Sequence, residues 1–149
     1  MEILLVKIFC DTSVMFAGSF DWHPHYNRAY PILEQAVKRS GDFFCAAHSL
    51  AEMYNITTKL RVQPCVQPVA ALKTIRDTIL AHFQVVTLNI NDYHKVLAKC
   101  AEDGLVGGVI YDALILQCAE TVNPDRIYTF NLRDFQRVSP GLASKIMAP

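Results

Sequence analysis

Strand and helix signals alternate along the 149 residues, and this predicts an α/β fold of three layers, α/β/α, around a parallel sheet of four to five strands. Two observations carry the expectation. Short runs rich in Ile, Val, Phe and Cys recur without polar alternation, the pattern of strands buried on both faces. Between them lie longer stretches with apolar residues at helical spacing.

The first strand is expected within residues 3–10, ending at "CDTS". A helix follows over roughly residues 25–39, with Pro31 inside it and Gly41 as its stop. "DFFCAA" reads as the second strand and "HSLAEMYNITTKL" as a helix with Ser49 at its N-cap. "RVQPCVQP" has two prolines and no periodicity, so it is a loop. In "VAALKTIRDTILAHF", Ala71, Leu72, Ile75, Ile79 and Leu80 share a helical face. "QVVTL" is the third strand, and "NDYHKVLAKCAEDG" is a helix capped by Asn91 and ended by Gly104. "GGVIYDALILQCA", residues 107–119, is a helix apolar nearly all round and therefore buried, with Asp112 in its first turn. "RIYTF" is the fourth strand and "NLRDF" begins another helical turn; the tail, "QRVSPGLASKIMAP", has room for a short edge strand.

The length and the 52% hydrophobic content suit one globular domain over residues 1–149. Formal net charge is zero, so nothing global announces a nucleic-acid binder. The five cysteines (Cys10, Cys45, Cys65, Cys100 and Cys118) are widely spaced, odd in number and without a CxxC pair. That pattern disfavours zinc and disulfides and fits a reducing, cytoplasmic setting. "MEILLVKIFCD" is broken by Lys7 and ended by Asp11, so it is expected to be neither a signal peptide nor a membrane span, and no membrane association is expected.

In parallel sheets ligands bind beyond the C-terminal ends of the strands. Asp11 ends the first strand, Glu52 and Asp112 open helices next to that edge, and Asn131 and Asp134 follow the fourth strand. Carboxylates sharing a crevice repel one another, and a hard cation such as magnesium or manganese relieves the repulsion. Each residue also has a plainer reading. Asp11 could cap a turn. Ser49 and Glu52 match a capping box. Asp112 could favour a helix N-terminus, although that leaves its apolar neighbours unexplained. Asn131 and Asp134 could be an N-cap and its partner three residues on. None of His23, His25, His48, His82 and His94 has zinc-ligand spacing. Trp22 and Tyr26 suit packing better than base stacking. Lys59, Arg61, Lys73, Arg76, Arg126 and Arg133 are candidate phosphate contacts, with Lys59 and Arg133 preferred.

Taken in order, "FCDTSV", "HSLAEMYN", "VIYDALILQCA" and "IYTFNLRDF" resemble the four motifs of the PIN-domain nucleases, and of the VapC-type toxins among them; "HPHYNRA" resembles the start of their first helix. The resemblance implies a PIN-like fold and a metal-dependent endoribonuclease. Asp11, Glu52 and Asp112 would be catalytic and hold Mg2+ or Mn2+, with Asn131 or Asp134 as a fourth ligand. Thr12, Ser13 and Thr129 would orient these groups. It also implies an RNA substrate, a homodimer and a small antitoxin protein as partner. Two other readings stay open. One is a PIN-like module that binds RNA or protein without cutting. The other is a phospho-acceptor domain of the receiver kind, although Asp11 lacks that class's paired acid.

Overall fold

The computed structural model describes residues 5–149. Its centre is one five-stranded sheet, all parallel, in the order β3-β2-β1-β4-β5. The strands are β1 (Ile8–Cys10), β2 (Phe43–Ala46), β3 (Gln84–Val86), β4 (Arg126–Tyr128) and β5 (Ile146–Met147). The expected edge strand in the tail is thus present as β5. The first two residues of the expected opening strand, 3 and 4, lie outside the described residues.

Strand residues alternate between two cores, as the pleat requires. Ile8, Cys10, Phe43 and Cys45 face one core; Phe9, Phe44, Ala46 and Ile127 face the other. The first core is covered by α1 (Thr12–Ser19), α2 (Tyr26–Lys38), α3 (Ala47–Lys59) and, through Ile75 and Ile79, the turn that continues α4 (Pro68–Thr74). The second is covered by α5 (Ile90–Glu102), α6 (Val109–Val122) and α7 (Leu132–Val138).

Helix α2 buries Ala29, Ile32, Leu33 and Ala36, one stripe at helical spacing, while Pro31 sits on its exposed side. There, water can satisfy the carbonyl that the missing proline N–H leaves free. Helix α1 has almost no exposed side because it lies between α2 and the sheet. Its Gly18 admits Leu33 so closely that an added Cβ would stand 1.8 Å from Leu33 Cδ1. The segment expected to continue as one helix after the proline loop changes form: α4 runs on into a π-helical turn over Ile75–Leu80.

Two expected caps are displaced. The α5 cap is Asn89, not Asn91: Asn89 Oδ1 accepts from the Asp92 amide at 2.9 Å and Asp92 Oδ2 from the Asn89 amide at 3.0 Å. The expected end holds, with Gly104 in the left-handed region at φ +67° just beyond α5. The N-cap of α3 lies three residues earlier than expected, at Ala46 and not Ser49, so Ser49 lies inside the first turn and makes no cap. The physical reason is that the Ser49 hydroxyl is completely buried against α1, where Thr12 Oγ1 lies 2.8 Å away.

The described cysteines are all free thiols, four of them buried and Cys65 exposed. Among the described residues no helix is long and apolar enough to cross a membrane.

Candidate metal and nuclease site

The sheet delivers Asp11 first. It follows β1 directly, and its amide donates to Tyr128 O at 2.9 Å, which extends the β1–β4 ladder by one residue. Asp11 occupies the N-cap position of α1, yet its side chain makes no cap hydrogen bond. The carboxylate accepts instead from Ser13 Oγ and from Thr129 Oγ1, both at 2.8 Å and both at Oδ2. Asp11 is only 5% exposed. Burial raises its pKa above the ordinary value, and the two hydroxyls and the nearby Thr12 and Ser13 amides oppose the rise. Ser13 and Thr129 are themselves held: Ser13 Oγ accepts from the Phe130 amide at 3.0 Å and Thr129 Oγ1 from the Asn131 amide at 2.9 Å.

Glu52 lies one turn into α3, half-buried. Its Oε1 is 3.1 Å from Thr12 Oγ1 and 3.5 Å from His48 Nε2, one helical turn earlier. Thr12 has a single hydroxyl proton, so with Glu52 ionised it donates to the carboxylate and accepts from Ser49. The capping-box reading of Ser49 and Glu52 is therefore overturned: both side chains turn inward to α1. Burial raises the Glu52 pKa, His48 and the Thr12 hydrogen bond pull it back, and Asp11 adds to the rise.

Asp112 sits in the first turn of α6, whose remaining length is packed in the second core. Its Oδ2 accepts from Asn131 Nδ2 at 3.3 Å. Asn131 occupies the N-cap position of α7 but makes no side-chain cap bond, so its amide group is committed to Asp112. Burial and repulsion from Asp11, Asp134 and Glu52 push the Asp112 carboxyl up to about 7, against a weaker opposing pull from Arg137. Asp134, in the first turn of α7, completes a group of four acids close enough that the other three act on Asp112.

Arg133 is exposed on the rim, between Asn131 and Asp134 in sequence. Lys59 is not brought to the crevice. It lies in the last turn of α3, about 10 Å along the helix axis from Glu52 and toward the opposite edge of the sheet. Trp22 and Tyr26 pack on other aromatics, with ring centroids 5.1 Å apart for Phe20–Trp22 and again for Tyr26–Tyr30. Sequence reasoning passed over His48 and Arg137. Both carried a legible signal: His48 precedes Glu52 by four residues and Arg137 follows Asp134 by three, so each shares a helix face with its acid.

Among the described residues no lysine or arginine forms a salt bridge with Asp11, Glu52, Asp112 or Asp134. Nor, among the described residues, do any three His, Cys, Asp or Glu side chains stand together closely enough to hold a metal ion as they are placed. The donor types are nevertheless those of a hard cation: four carboxylates and the Asn131 amide oxygen. Magnesium keeps several waters and needs few direct protein ligands, so an open ring of carboxylates suits it.

The PIN-domain profile matches residues 8–139. Ribonuclease VapC40 of Mycobacterium tuberculosis (strains CDC 1551 / Oshkosh and ATCC 25618 / H37Rv) is 30% identical over 105 residues, 70% of this chain and 72% of that protein. The fold is similar to that of DNA-bound VapBC from Salmonella typhimurium, with TM-score 0.66 and 21% identity over 96% of this chain and 98% of that one. It is also similar to VapC20 of Mycobacterium tuberculosis, a sarcin–ricin-loop-cleaving toxin, with TM-score 0.65 and 13% identity over 86% of this chain and 92% of that one. VapBC2 of Rickettsia felis, bound to a fragment of promoter DNA, gives TM-score 0.61 and 18% identity over 89% of this chain and 92% of that one. These structures share its fold, and the match spans every element from β1 to α7: the chain belongs to the PIN-domain family.

Proposed function

We propose that this chain is a metal-dependent endoribonuclease that works in the cytoplasm as the toxin of a toxin–antitoxin pair. The observation that carries the reading is the crowding of Asp11, Glu52, Asp112 and Asp134 at one sheet edge without a lysine or arginine partner. The similarity to Ribonuclease VapC40 and to toxin–antitoxin structures supports it. A homodimer and a small antitoxin belong to the same reading. Exposed Tyr30, Val37, Val69 and Leu72 on α2 and α4 offer apolar area for such partners.

Asp11, Glu52 and Asp112 would hold Mg2+ or Mn2+, with Asp134 or the Asn131 amide oxygen as a further ligand. When bound, the ion supplies a water of lowered pKa for attack on the scissile phosphodiester and positive charge for the leaving oxygen. The side chains prepare that chemistry. Ser13 and Thr129 fix Asp11, Thr12 and His48 hold Glu52, and Asn131 holds Asp112. Near neutral pH the Asp112 carboxyl carries a proton part of the time, so cation binding displaces a proton and weakens as the pH falls. Exposed Arg133 would contact the phosphate backbone; Lys59 would meet RNA only beyond the reacting nucleotide.

The test is cleavage of RNA in magnesium by wild type, Asp11→Asn and Asp112→Asn, with circular dichroism to verify folding. Loss of cleavage in both folded variants is expected, and full activity in either overturns the mechanism. A second reading, a PIN-like module that binds without cutting, draws on one observation: Asn131 supplies a neutral amide where a further acid would strengthen the site. Calorimetry that detects no magnesium or manganese binding to the folded protein would favour it.

A further inference from the structure

A second concavity opens beside the acidic crevice, on the far side of His48. It has a volume of about 200 Å³ and lies beyond the C-terminal end of β3, at the same sheet edge as the carboxylates. Leu88 and Leu114 give it apolar walls, Thr87 and Tyr93 bring hydroxyls, and His48 forms the side toward the crevice. No lysine, arginine or carboxylate lines it.

His48 joins the two spaces. Its Nε2 is 3.5 Å from Glu52 Oε1. Its ring lies nearly parallel to that of Tyr111, at 6° and 5.1 Å between centroids, and Tyr111 immediately precedes Asp112. The imidazole is thus backed by a second aromatic ring and cannot readily fold away from the cavity. Whatever occupies the cavity lies one side chain from the carboxylates proposed to act on a phosphodiester.

The lining selects the ligand. With no lysine or arginine, and with the one histidine of its wall already paired to Glu52, the cavity does not suit a phosphate, and the four nearby acids disfavour any anion that arrives without a cation. A neutral, planar heteroaromatic ring meets neither objection. An apolar cavity of roughly 150 Å³ accepts a benzene ring, so this one has room for a single base and not for a stacked pair. Unpaired bases of RNA are recognised by aromatic stacking supplemented by hydrogen bonds at their edges, and His48, Tyr93 and Thr87 offer both kinds of group.

We propose that this cavity holds one unstacked nucleobase of a single-stranded RNA, next to the phosphate presented to the carboxylates. The inference rests on the nuclease reading for its position and on the cavity's own chemistry for its ligand. It makes Tyr93 a specificity-determining residue.

Tyr93 is exposed and touches none of the four acids through hydrogen bonds or ion pairs, so Tyr93→Ala tests the cavity without altering the crevice. Thr87→Trp fills the cavity as an independent variant. The probe is a single-stranded RNA carrying 2-aminopurine, titrated in EDTA so that no cutting occurs and stacking is read as fluorescence quenching. Tyr93→Ala and Thr87→Trp should each weaken binding by about tenfold, whereas Tyr93→Phe should stay within about twofold of wild type. In magnesium the same two variants should raise KM more than they lower kcat and lose the base preference at one position beside the cut. Unchanged affinity and unchanged base preference in both variants overturn the proposal. If wild type cuts no RNA, the nuclease reading fails separately, and the EDTA titration still decides whether the cavity takes a base. Normal RNA binding by both variants with loss of a co-purifying small protein would assign the cavity to a protein side chain and also overturn the proposal.

Discussion

Replacing Asp112 with Asn tests the electrostatic account of the crevice most directly. The substitution keeps the shape of the side chain, and its carbonyl oxygen can still accept from Asn131 Nδ2. It removes one negative charge from a group of four. The rise of the Asp112 pKa from 3.8 to about 7 corresponds to about 4 kcal/mol for a fully shielded carboxyl. Asp112 is only half-buried, and solvent screening reduces this to about 1–2 kcal/mol. Without divalent metal, Asp112→Asn should therefore raise the melting temperature by about 2–8 °C at pH 8. The sign follows from proton linkage. As pH falls through 7 the folded wild type takes up a proton that the unfolded chain does not hold until near 3.8, so wild type gains stability relative to the variant. The gap should close by about pH 4, below which Asp112 is protonated in both states. Burial also raises Asp11 and Glu52, so the difference between the two proteins is the quantity to plot, not either curve alone. Adding magnesium or manganese should then raise the wild-type melting temperature and leave that of the variant nearly unchanged, because a ligand stabilises only the state that binds it. A variant that melts below wild type at pH 8 in EDTA, or a gap that does not change with pH, would refute the argument that burial and carboxylate repulsion together disfavour the ionised Asp112.

Three further outcomes are expected. Thr129→Val leaves Asp11 Oδ2 and the Asn131 amide each short of a partner, and should cost about 1–3 kcal/mol in urea unfolding. It should also weaken divalent-metal affinity by about 10–100-fold in calorimetry, as expected when a ligand loses its support. Asn89→Ala should cost about 1 kcal/mol by breaking the α5 capping box, whereas Asn91→Ala should leave stability nearly unchanged; equal effects would return the cap to Asn91. Gly18→Ala drives a methyl group into buried Leu33 and should destabilise by about 1–3 kcal/mol, read from the same urea curves, although alanine is the better helix former.

The alternation of apolar strands with amphipathic helices was sufficient to place four strands, to leave room for the fifth and to place the helices from α2 onward, because burial on both faces leaves a continuous apolar run whatever the neighbours; α1, short and buried nearly all round, has no amphipathic stripe and was not anticipated. The acids were legible for a related reason. A carboxylate set directly after a buried strand, or amid an apolar helix such as α6, has no cheap solitary solution. Local signals misled where a side chain had a choice of partners. Ser49 and Glu52 have capping-box spacing, but α1 offered the Ser49 hydroxyl a buried partner in Thr12, and the helix began at Ala47 instead. Asn131 has the right identity for an N-cap, but Asp112, nineteen residues away, took its amide group. Hydrogen-bond spacing within a helix belongs to the sequence; competition from groups more than thirty residues distant, as between Thr12 and Ser49, does not.

The sequence by itself therefore determined the layers and the parallel sheet, since these follow from periodicity, and the cost of burying charge marked Asp11, Glu52, Asp112 and either Asn131 or Asp134 as candidates. Only the tertiary structure decided how those acids are held. The pairing of β1 with β4 sets Thr129 against Asp11, the packing of α1 on α3 sets Thr12 against Glu52, and the first turn of α6 sets Asp112 against Asn131. It also decided that His48 should stand between the acids and a neutral cavity, stacked on Tyr111 from another helix. Each of these contacts joins residues far apart in the chain, and no local pattern encodes which of several chemically competent partners the fold will bring within reach.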